Sequence, residues 1–436
     1  MEDNNKITDS SIAAPVSNKQ RIRSLDTLRG VALLGILLMN IIAFAFPFAA
    51  YFDPQIDGST QGLNLATFMT IDMLFEGSMR TIFSMLFGAG LLIFVAKPDA
   101  DPADVRSLFY RRTCLLIGFG LVNAYIFLWA GDILYAYGVA GLILYLFRNL
   151  SAKTLAICGL VILTGLSILH TGLHISTKTL RLDVVAIESL PAATVLTQEQ
   201  EATLEAWDQL LENQFSTPEL IQAELAMKKS GYVEMFIGTA SINIVIQTVV
   251  LVTNSLWDAL SMMLLGMALM KWGFFDATRS FRFYSGLMLL GFGIGLPLNS
   301  WETLTFVNSG FEPYWAAATR PTYDIGRLSL AMGYIGLVMV ICKSGALSTV
   351  RSALAAVGQM ALTNYLSQSI ICGFVFLGFG LGLAGELERY EIYYVVFAVW
   401  IFQLSFSVYW LKRYRFGPAE WLWRSLTYKS KQPLRL

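Results

Sequence analysis

Charge is scarce in this chain. Only 14% of its 436 residues are Asp, Glu, Lys or Arg, and the two signs balance at 31 each. A soluble globular domain carries roughly 25% charged residues, so a conventional soluble fold is excluded. Net charge is zero, and no nucleic-acid partner is expected. Histidine is scarcer still, with only His170 and His174. They stand one helical turn apart, without the H-E-x-x-H pattern or third ligand that a metal site needs. The main reading is an interfacial pair, with a catalytic role as the alternative, and no metal site is expected. The four cysteines (Cys114, Cys158, Cys342, Cys372) lie in apolar segments without C-x-x-C spacing. They read as buried small hydrophobes rather than as a disulfide framework. There is no P-loop, no G-x-G-x-x-G between strand and helix, and no G-x-S-x-G elbow. The "GFGIG" at 291–295 lies in an apolar run, where glycine permits close helix packing.

What the chain has instead is hydrophobicity, at 55% of residues and a mean hydropathy of +0.57. The apolar residues come in runs of about 20, enough to cross roughly 30 Å of hydrocarbon. The expected fold is all-α: a polytopic integral membrane helical bundle of about ten transmembrane helices. The windows fall near 27–50, 65–96, 113–131, 133–147, 154–174, 253–271, 284–303, 324–342, 357–379 and 391–411. The polar start leads into an apolar run too long for a cleaved signal peptide, so the first span is expected to be retained.

Most lysines and arginines fall on one side of this arrangement, which the positive-inside rule makes cytoplasmic. Both termini are then cytoplasmic. An eleventh span at 231–252 would put the basic tail outside, so that stretch is expected to be interfacial or re-entrant. The organisation follows: 1–24 a polar cytoplasmic segment, 25–174 the first five spans, 175–252 an extracytoplasmic helical segment. Spans six to ten occupy 253–411, and 412–436 is a basic cytoplasmic tail. In the segment from 175, Thr197 to Gln200 fits a capping box and Thr217-Pro218 fits a helix start. It reads as an acidic helical cap, or as a lid over an entrance. The aromatic "AEWLWRSLTY" in the tail reads as a helix lying on the inner surface, with a docking site for a partner or for an acyl-CoA phosphate as the alternative.

Two polar layers interrupt the apolar runs. Asp72, Glu76 and Arg80 are spaced four apart in the second window, sharing one face if the helix is continuous. Glu76 and Arg80 are then set for an i,i+4 ion pair. Ionisable residues in a span must face the bundle interior, as structural pairs or at a substrate cavity. Arg80 stands about 25 Å from Lys97, which places the layer in the outer half of the membrane. Asp132, Asp258, Asp324 and Arg327 are placed to join it. Nearer the cytoplasm, Asp26 and Arg29 open the first span, with Asn40 deeper, and Gln359, Asn364 and Gln368 lie in the ninth. These read as an entrance and passage for substrate, or as polar contacts between helices.

"RSLDTLRGVALLGILLMN" at 23–40 resembles the opening of the YeiB-like family of bacterial inner-membrane proteins. So do "FSMLFGAG" at 83–90, "DALSMMLLGMAL" at 258–269, "MALTNYLSQSII" at 360–371 and "FGPAEWLWRSLTY" at 416–428. That family looks like a distant relative of the transmembrane acyltransferases. These include the acyltransferase-3 proteins and the lysosomal heparan-glucosaminide acetyltransferase, which carry an acyl group from cytosolic acyl-CoA to a sugar across the membrane. Arg29 matches the acyltransferase-3 arginine, but Asn40 stands where its catalytic histidine would be. The region from 45 to 64, where the lysosomal enzyme keeps its histidine, also has none.

The resemblance implies a divergent acyltransferase in the bacterial inner membrane. Acyl-CoA would be its co-substrate, with no permanently bound cofactor and an extracytoplasmic carbohydrate or lipid as acceptor. Asp72 or Glu76 would replace histidine as base, since burial raises a carboxylate toward the working pH. Asp26, Arg29, Asn40, Arg80 and Asn364 would bind substrate. The alternatives are a proton-coupled small-solute transporter, which also uses intramembrane carboxylates paired with arginine, and a non-catalytic scaffold.

Overall fold

The computed structural model describes residues 22–96, 101–191, 194–214, 217–312, 315 and 319–436. The expected polar segment 1–24 therefore lies almost wholly outside the described residues. Helices α1 to α5 are Arg23–Ala45, Gly62–Phe75, Ser78–Val95, Pro102–Leu121 and Leu134–Leu144. α6 to α10 are Ala152–Glu188, Gln198–Gln214, Pro218–Lys228, Tyr232–Val245 and Leu256–Lys271. α11 to α13 are Phe281–Asn308, Arg320–Ser344 and Ser348–Gln359. α14 to α16 are Ala361–Phe376, Ile392–Leu411 and Pro418–Tyr428. No strand occurs among the described residues; the backbone makes only an isolated bridge between Tyr414 and Arg435.

Seven of the described helices are long and apolar enough to cross a membrane: α1, the α2–α3 run, α6, Tyr232–Lys271, α11, α12 and α15. Leu134–Phe147 and Ala361–Phe376 are apolar but shorter. The chain is a multi-pass helical membrane protein. Local chemistry starts the helices as the residues suggest. The Asp101 side chain accepts from the Ala103 N–H ahead of Pro102, and Thr217 does the same for Leu220 ahead of Pro218. The Thr197–Gln200 capping box is reciprocal, with Thr197 N–H on Gln200 and Gln200 N–H on Thr197.

Helix ends depart from the hydropathy windows in several places. The ninth window, expected as one span over 357–379, is split at Met360, which puts Gln359 on α13 and Asn364 and Gln368 on α14. α6 runs for 37 residues, about 55 Å, past the expected boundary at 174. No proline or glycine follows Gly172 within it to end the helix, and a change from apolar to polar residues alone does not break one. The 231–252 stretch, expected to be a separate interfacial or re-entrant helix, instead continues without a break into α10. A π-helical stretch, Ile246–Ser255, joins the two parts. The second window, expected as one helix from 65 to 96, breaks at Glu76–Gly77, where Gly77 has φ +66°. A left-handed φ is a conformation that glycine supplies without the Cβ penalty.

α1 forms the centre: 83% of its most apolar window is buried, against 17% for α11. The latter turns Leu289, Leu290 and Ile294 outward, as a lipid-facing helix should. α3 and α10 approach closely through Gly88 and Gly266. A Cβ on either would lie about 2 Å from a carbonyl oxygen of the other helix. At the end of the bundle away from α16, the loop after α1 is pinned by Arg389. Its guanidinium holds Asp57 at 2.8 Å and the Ala50 carbonyl at 2.8 Å, with Arg389 and Asp57 side chains each 1% exposed. This fixes the loop from which Tyr51 reaches toward α2.

Candidate functional site

Two cavities enter the bundle from opposite ends, and they share no lining residue. The larger, about 200 Å³, opens at the end that carries the start of α1 and the tail helix α16. Three guanidiniums line it: Arg29 from α1, Arg112 from α4 and Arg424 from α16. Arg29 holds Asp26 at 3.1 Å, an i,i+3 pair that fixes its root. Arg112 stacks over the Trp423 ring at 3.8 Å, while the Trp423 indole donates to the Arg112 carbonyl at 2.8 Å. Glu420 faces the same space, but its carboxylate accepts from the Leu362 and Thr363 backbone N–H groups and from the Thr363 hydroxyl. It caps α14, where the exposed donors and the helix dipole favour an anion. The rest of the wall is mostly apolar and aromatic, with Phe83, Phe87, Leu91 and Phe94 from α3 and Leu116 and Tyr137, while Thr113, Gln359 and Tyr365 add polar groups.

The smaller cavity, about 120 Å³, lies under the loop that follows α1. It brings together Asp72 from α2, Glu76 at the helix break, and Glu302 from α11. Hydroxyl groups hold all three. Thr303 donates to Asp72 at 2.6 Å, Thr322 donates to Glu302, and Tyr51 and Tyr323 donate to Glu76 at 3.2 and 2.8 Å. Arg320 lines the cavity with its guanidinium 5.4 Å from the Tyr323 ring centroid. Tyr51, on the loop outside the spans, has its hydroxyl pKa raised well above the usual value by burial and by the Glu76 carboxylate. It stays a donor.

A layer of ion pairs separates the cavities. Asp258 of α10 accepts from Arg80 at 2.8 Å on one oxygen and from Arg327 on the other. Arg327 also pairs with Asp324 at 2.7 Å, and Ser167 of α6 donates to the second Asp324 oxygen at 2.6 Å. Two arginines and two aspartates from three helices thus compensate one another, three of them buried and Arg80 partly exposed, where an unpaired buried charge would be costly. Both cavities touch this layer by hydrogen bonds. From the smaller, Tyr323 accepts from Arg80 at 3.4 Å. From the larger, Tyr137 donates to the Arg80 carbonyl at 3.4 Å and meets the Ser84 hydroxyl.

The expected Glu76–Arg80 pair does not form. The break at Gly77 removes the i,i+4 relation, so Arg80 takes Asp258, and Glu76 is left to the two tyrosines. Among the other residues singled out in the sequence, Arg29 lines the large cavity, and Asp72 and Glu76 line the small one. Asn40 lines neither. Asn364 is 1% exposed and donates to the Val357 carbonyl and to Ser407, tying α13, α14 and α15 together outside both cavities. His170 and His174 on α6 line neither cavity. Sequence reasoning missed Arg112, Glu302 and Arg320. Arg424 entered it only as part of the tail motif, and Arg112 read as part of a general basic surface, although Trp423 beside Arg424 was an available signal.

A family model described as a protein of unknown function (DUF418) matches residues 269–430. The uncharacterized protein YeiB of Escherichia coli (strain K12) is 32% identical over 422 residues, covering 95% of this chain and 98% of that one. The uncharacterized protein YxaH of Bacillus subtilis (strain 168) is 28% identical over 431 residues, covering 96% and 97%. An uncharacterized 39.9 kDa protein in the amylase 3' region of Bacillus acidopullulyticus is 24% identical over 433 residues. No solved structure matches the chain.

Proposed function

The chain belongs to the YeiB-like family, and from that premise we propose that it handles acyl groups in a bacterial inner membrane. The end that carries α16 would face the cytoplasm, since most of the basic residues lie there. Acyl-CoA would enter the large cavity, its phosphates meeting Arg29, Arg112 and Arg424. The observation that carries this reading is the convergence of those three guanidiniums, with a single carboxylate that is already engaged in capping α14, on one cavity whose walls are largely apolar and aromatic. Guanidinium is the side chain best suited to bidentate phosphate recognition.

An extracytoplasmic carbohydrate or lipid would bring a hydroxyl to Asp72 and Glu76. The acceptor oxygen then attacks the thioester carbonyl and the C–S bond breaks. A carboxylate takes the hydroxyl proton, and the coenzyme A thiolate leaves and takes up a proton. For donor and acceptor to meet, the layer at Arg80, Tyr137 and Tyr323 must part. No cofactor is required beyond the co-substrate. Arg80 would act in the passage rather than in either pocket.

Protein reconstituted in liposomes with acyl-CoA outside and candidate acceptors inside tests the reading. Acyl transfer that Arg112→Ala and Glu76→Gln each abolish supports it; free coenzyme A release without transfer, or none, counts against it. One observation favours a second reading, a carrier. Two cavities on opposite ends, separated by a thin ionic layer, suit alternating access. Solute uptake without any acyl turnover would select that reading.

A further inference from the structure

The wall of the small cavity is unbalanced. Asp258 and Asp324 inside the bundle pair with an arginine, and so does Asp57 in the loop after α1. Among the described residues Asp72, Glu76 and Glu302 form no ion pair, although all three face one cavity of about 120 Å³. The groups that donate to them are neutral hydroxyls, and these are already committed. Thr303 serves Asp72, Thr322 serves Glu302, and Tyr51 and Tyr323 serve Glu76. Asp72 and Glu302 thus each accept one such bond, where a carboxylate can take about four.

Asn299 of α11 is a separate observation that points the same way. It is 7% exposed and lines the cavity. Its amide nitrogen donates to the Met73 carbonyl at 3.2 Å, which sets the orientation of the amide. Its side-chain oxygen has room where Gly326 lacks a Cβ, and among the described residues it accepts no hydrogen bond. Buried polar atoms seldom lack a partner, so this oxygen is left for a ligand. Tyr51, Phe52, Phe68, Phe306 and Tyr323 stand around these acceptors, and an aromatic ring attracts an organic cation over its face. The wall is short of donors and of positive charge. Arg320 is the exception, and it is exposed at the start of α12.

We propose that this cavity binds a small organic cation, a protonated amine that also carries a hydroxyl, held through its ammonium by Asp72, Glu302 and the Asn299 oxygen. An ammonium brings three donors and no acceptor, the complement of this wall. A cavity of about 150 Å³ takes benzene, so this one encloses about five non-hydrogen atoms, the size of an amino alcohol. A larger carbohydrate or lipid bearing that group extends through the open side. This deepens the reading above and rests on it for the role of the site: the acceptor hydroxyl lies at Glu76, and the ammonium is the handle rather than the nucleophile. A lipid headgroup offers the same ammonium as a free amine, and the test separates the two.

Full-length protein in nanodiscs of phosphatidylglycerol, which carries no amine, would be titrated with four ligands, with empty discs as the blank. They are ethanolamine, its uncharged isostere n-propanol, the anion glycolate, and lysophosphatidylethanolamine. Ethanolamine should bind at least about tenfold more tightly than n-propanol, the scale of one hydrogen bond to a charged group. Glu302→Gln, with thermal unfolding unchanged, should weaken ethanolamine by about tenfold and leave n-propanol where it is. Arg320→Gln should tighten ethanolamine several-fold by removing a like charge.

Equal affinity for ethanolamine and n-propanol overturns the proposal. So does a preference for glycolate that Arg320→Gln abolishes, because Arg320 would then be the recognition group. Ethanolamine binding unmoved by Glu302→Gln in a folded variant places the cation elsewhere and sinks the proposal. Lysophosphatidylethanolamine that binds where ethanolamine does not keeps the cation and assigns it to a lipid headgroup. Ethanolamine that binds but is never acylated fails the acyl-transfer reading and leaves the cation site standing, since the readout is binding alone.

Discussion

At the scale of single residues, the ion-pair layer makes unequal demands on its members. The Arg327 side chain is 3% exposed and compensates two aspartates, whereas the Arg80 side chain is 39% exposed and shares Asp258 with Arg327. Removing one partner of a buried pair strands the other, at a cost of about 3–5 kcal/mol. Arg327→Ala should therefore lower the unfolding temperature sharply. Arg80→Ala should cost much less, because Asp258 keeps a partner and water reaches the site. Equal losses from the two variants would show that Asp258 does not distinguish them. The carboxylates of the small cavity make a different prediction. Glu76→Gln and Asp72→Asn keep shape but lose the charge, and Glu76→Gln leaves one amide oxygen to accept where two tyrosine hydroxyls donate. Turnover or uptake should fall about a hundredfold or more, the size of a lost general base. Binding to the large cavity should stay unchanged. A loss of donor affinity in either variant would mean that the two cavities are not separate. Glu76 was visible in the sequence as an intramembrane acid, but its partner was not. The spacing favoured Arg80, and one glycine backbone angle redirected it.

Between elements, close approach matters more than propensity. α3 and α10 touch backbone to backbone at Gly88 and Gly266, so Gly266→Leu should destabilise by about 1–3 kcal/mol or abolish folded expression. Gly286 of α11 meets nothing within 4 Å, and Gly286→Leu should be neutral or mildly stabilising by the same thermal measurement. Should the two variants unfold alike, the α3–α10 contact would not be the constraint described. The tail helix α16 is held by Glu420 at the start of α14 and by Trp423 against Arg112. Glu420→Ala removes three accepted hydrogen bonds and should speed hydrogen exchange in residues 418–428 while sparing α1. It should also weaken ligand binding in the large cavity, because α16 supplies Arg424 and Trp423 to its wall. The amphipathic tail was legible in the sequence as a surface helix. That it forms part of a cavity wall was not, because its aromatic and basic residues suit a membrane surface equally well.

For the whole molecule, the asymmetry of charge makes the remaining prediction. In a variant lacking the native cysteines, Ser430→Cys should be labelled by a membrane-impermeant thiol reagent only from the cytoplasmic side. Glu199→Cys, on α7, should be labelled only from the other side. Labelling of both from one side would reverse or break the topology read from the lysines and arginines. Hydropathy and the distribution of lysine and arginine are local or additive properties. For that reason the sequence by itself determined an all-helical, multi-pass membrane protein and the intramembrane polar residues that interrupt its apolar runs. Pairing between segments is neither local nor additive. Asp258 is 178 residues from Arg80 and 69 from Arg327, and Thr427 reaches Arg111 across 316 residues. No period within one helix specifies such contacts. Only the tertiary structure decided that Arg29, Arg112 and Arg424 share one cavity, that Asp72, Glu76 and Glu302 share another, and that Arg80 stands between them. The physical reason is that a residue's face is set by its own helix, but what that face meets is set by how the other helices pack.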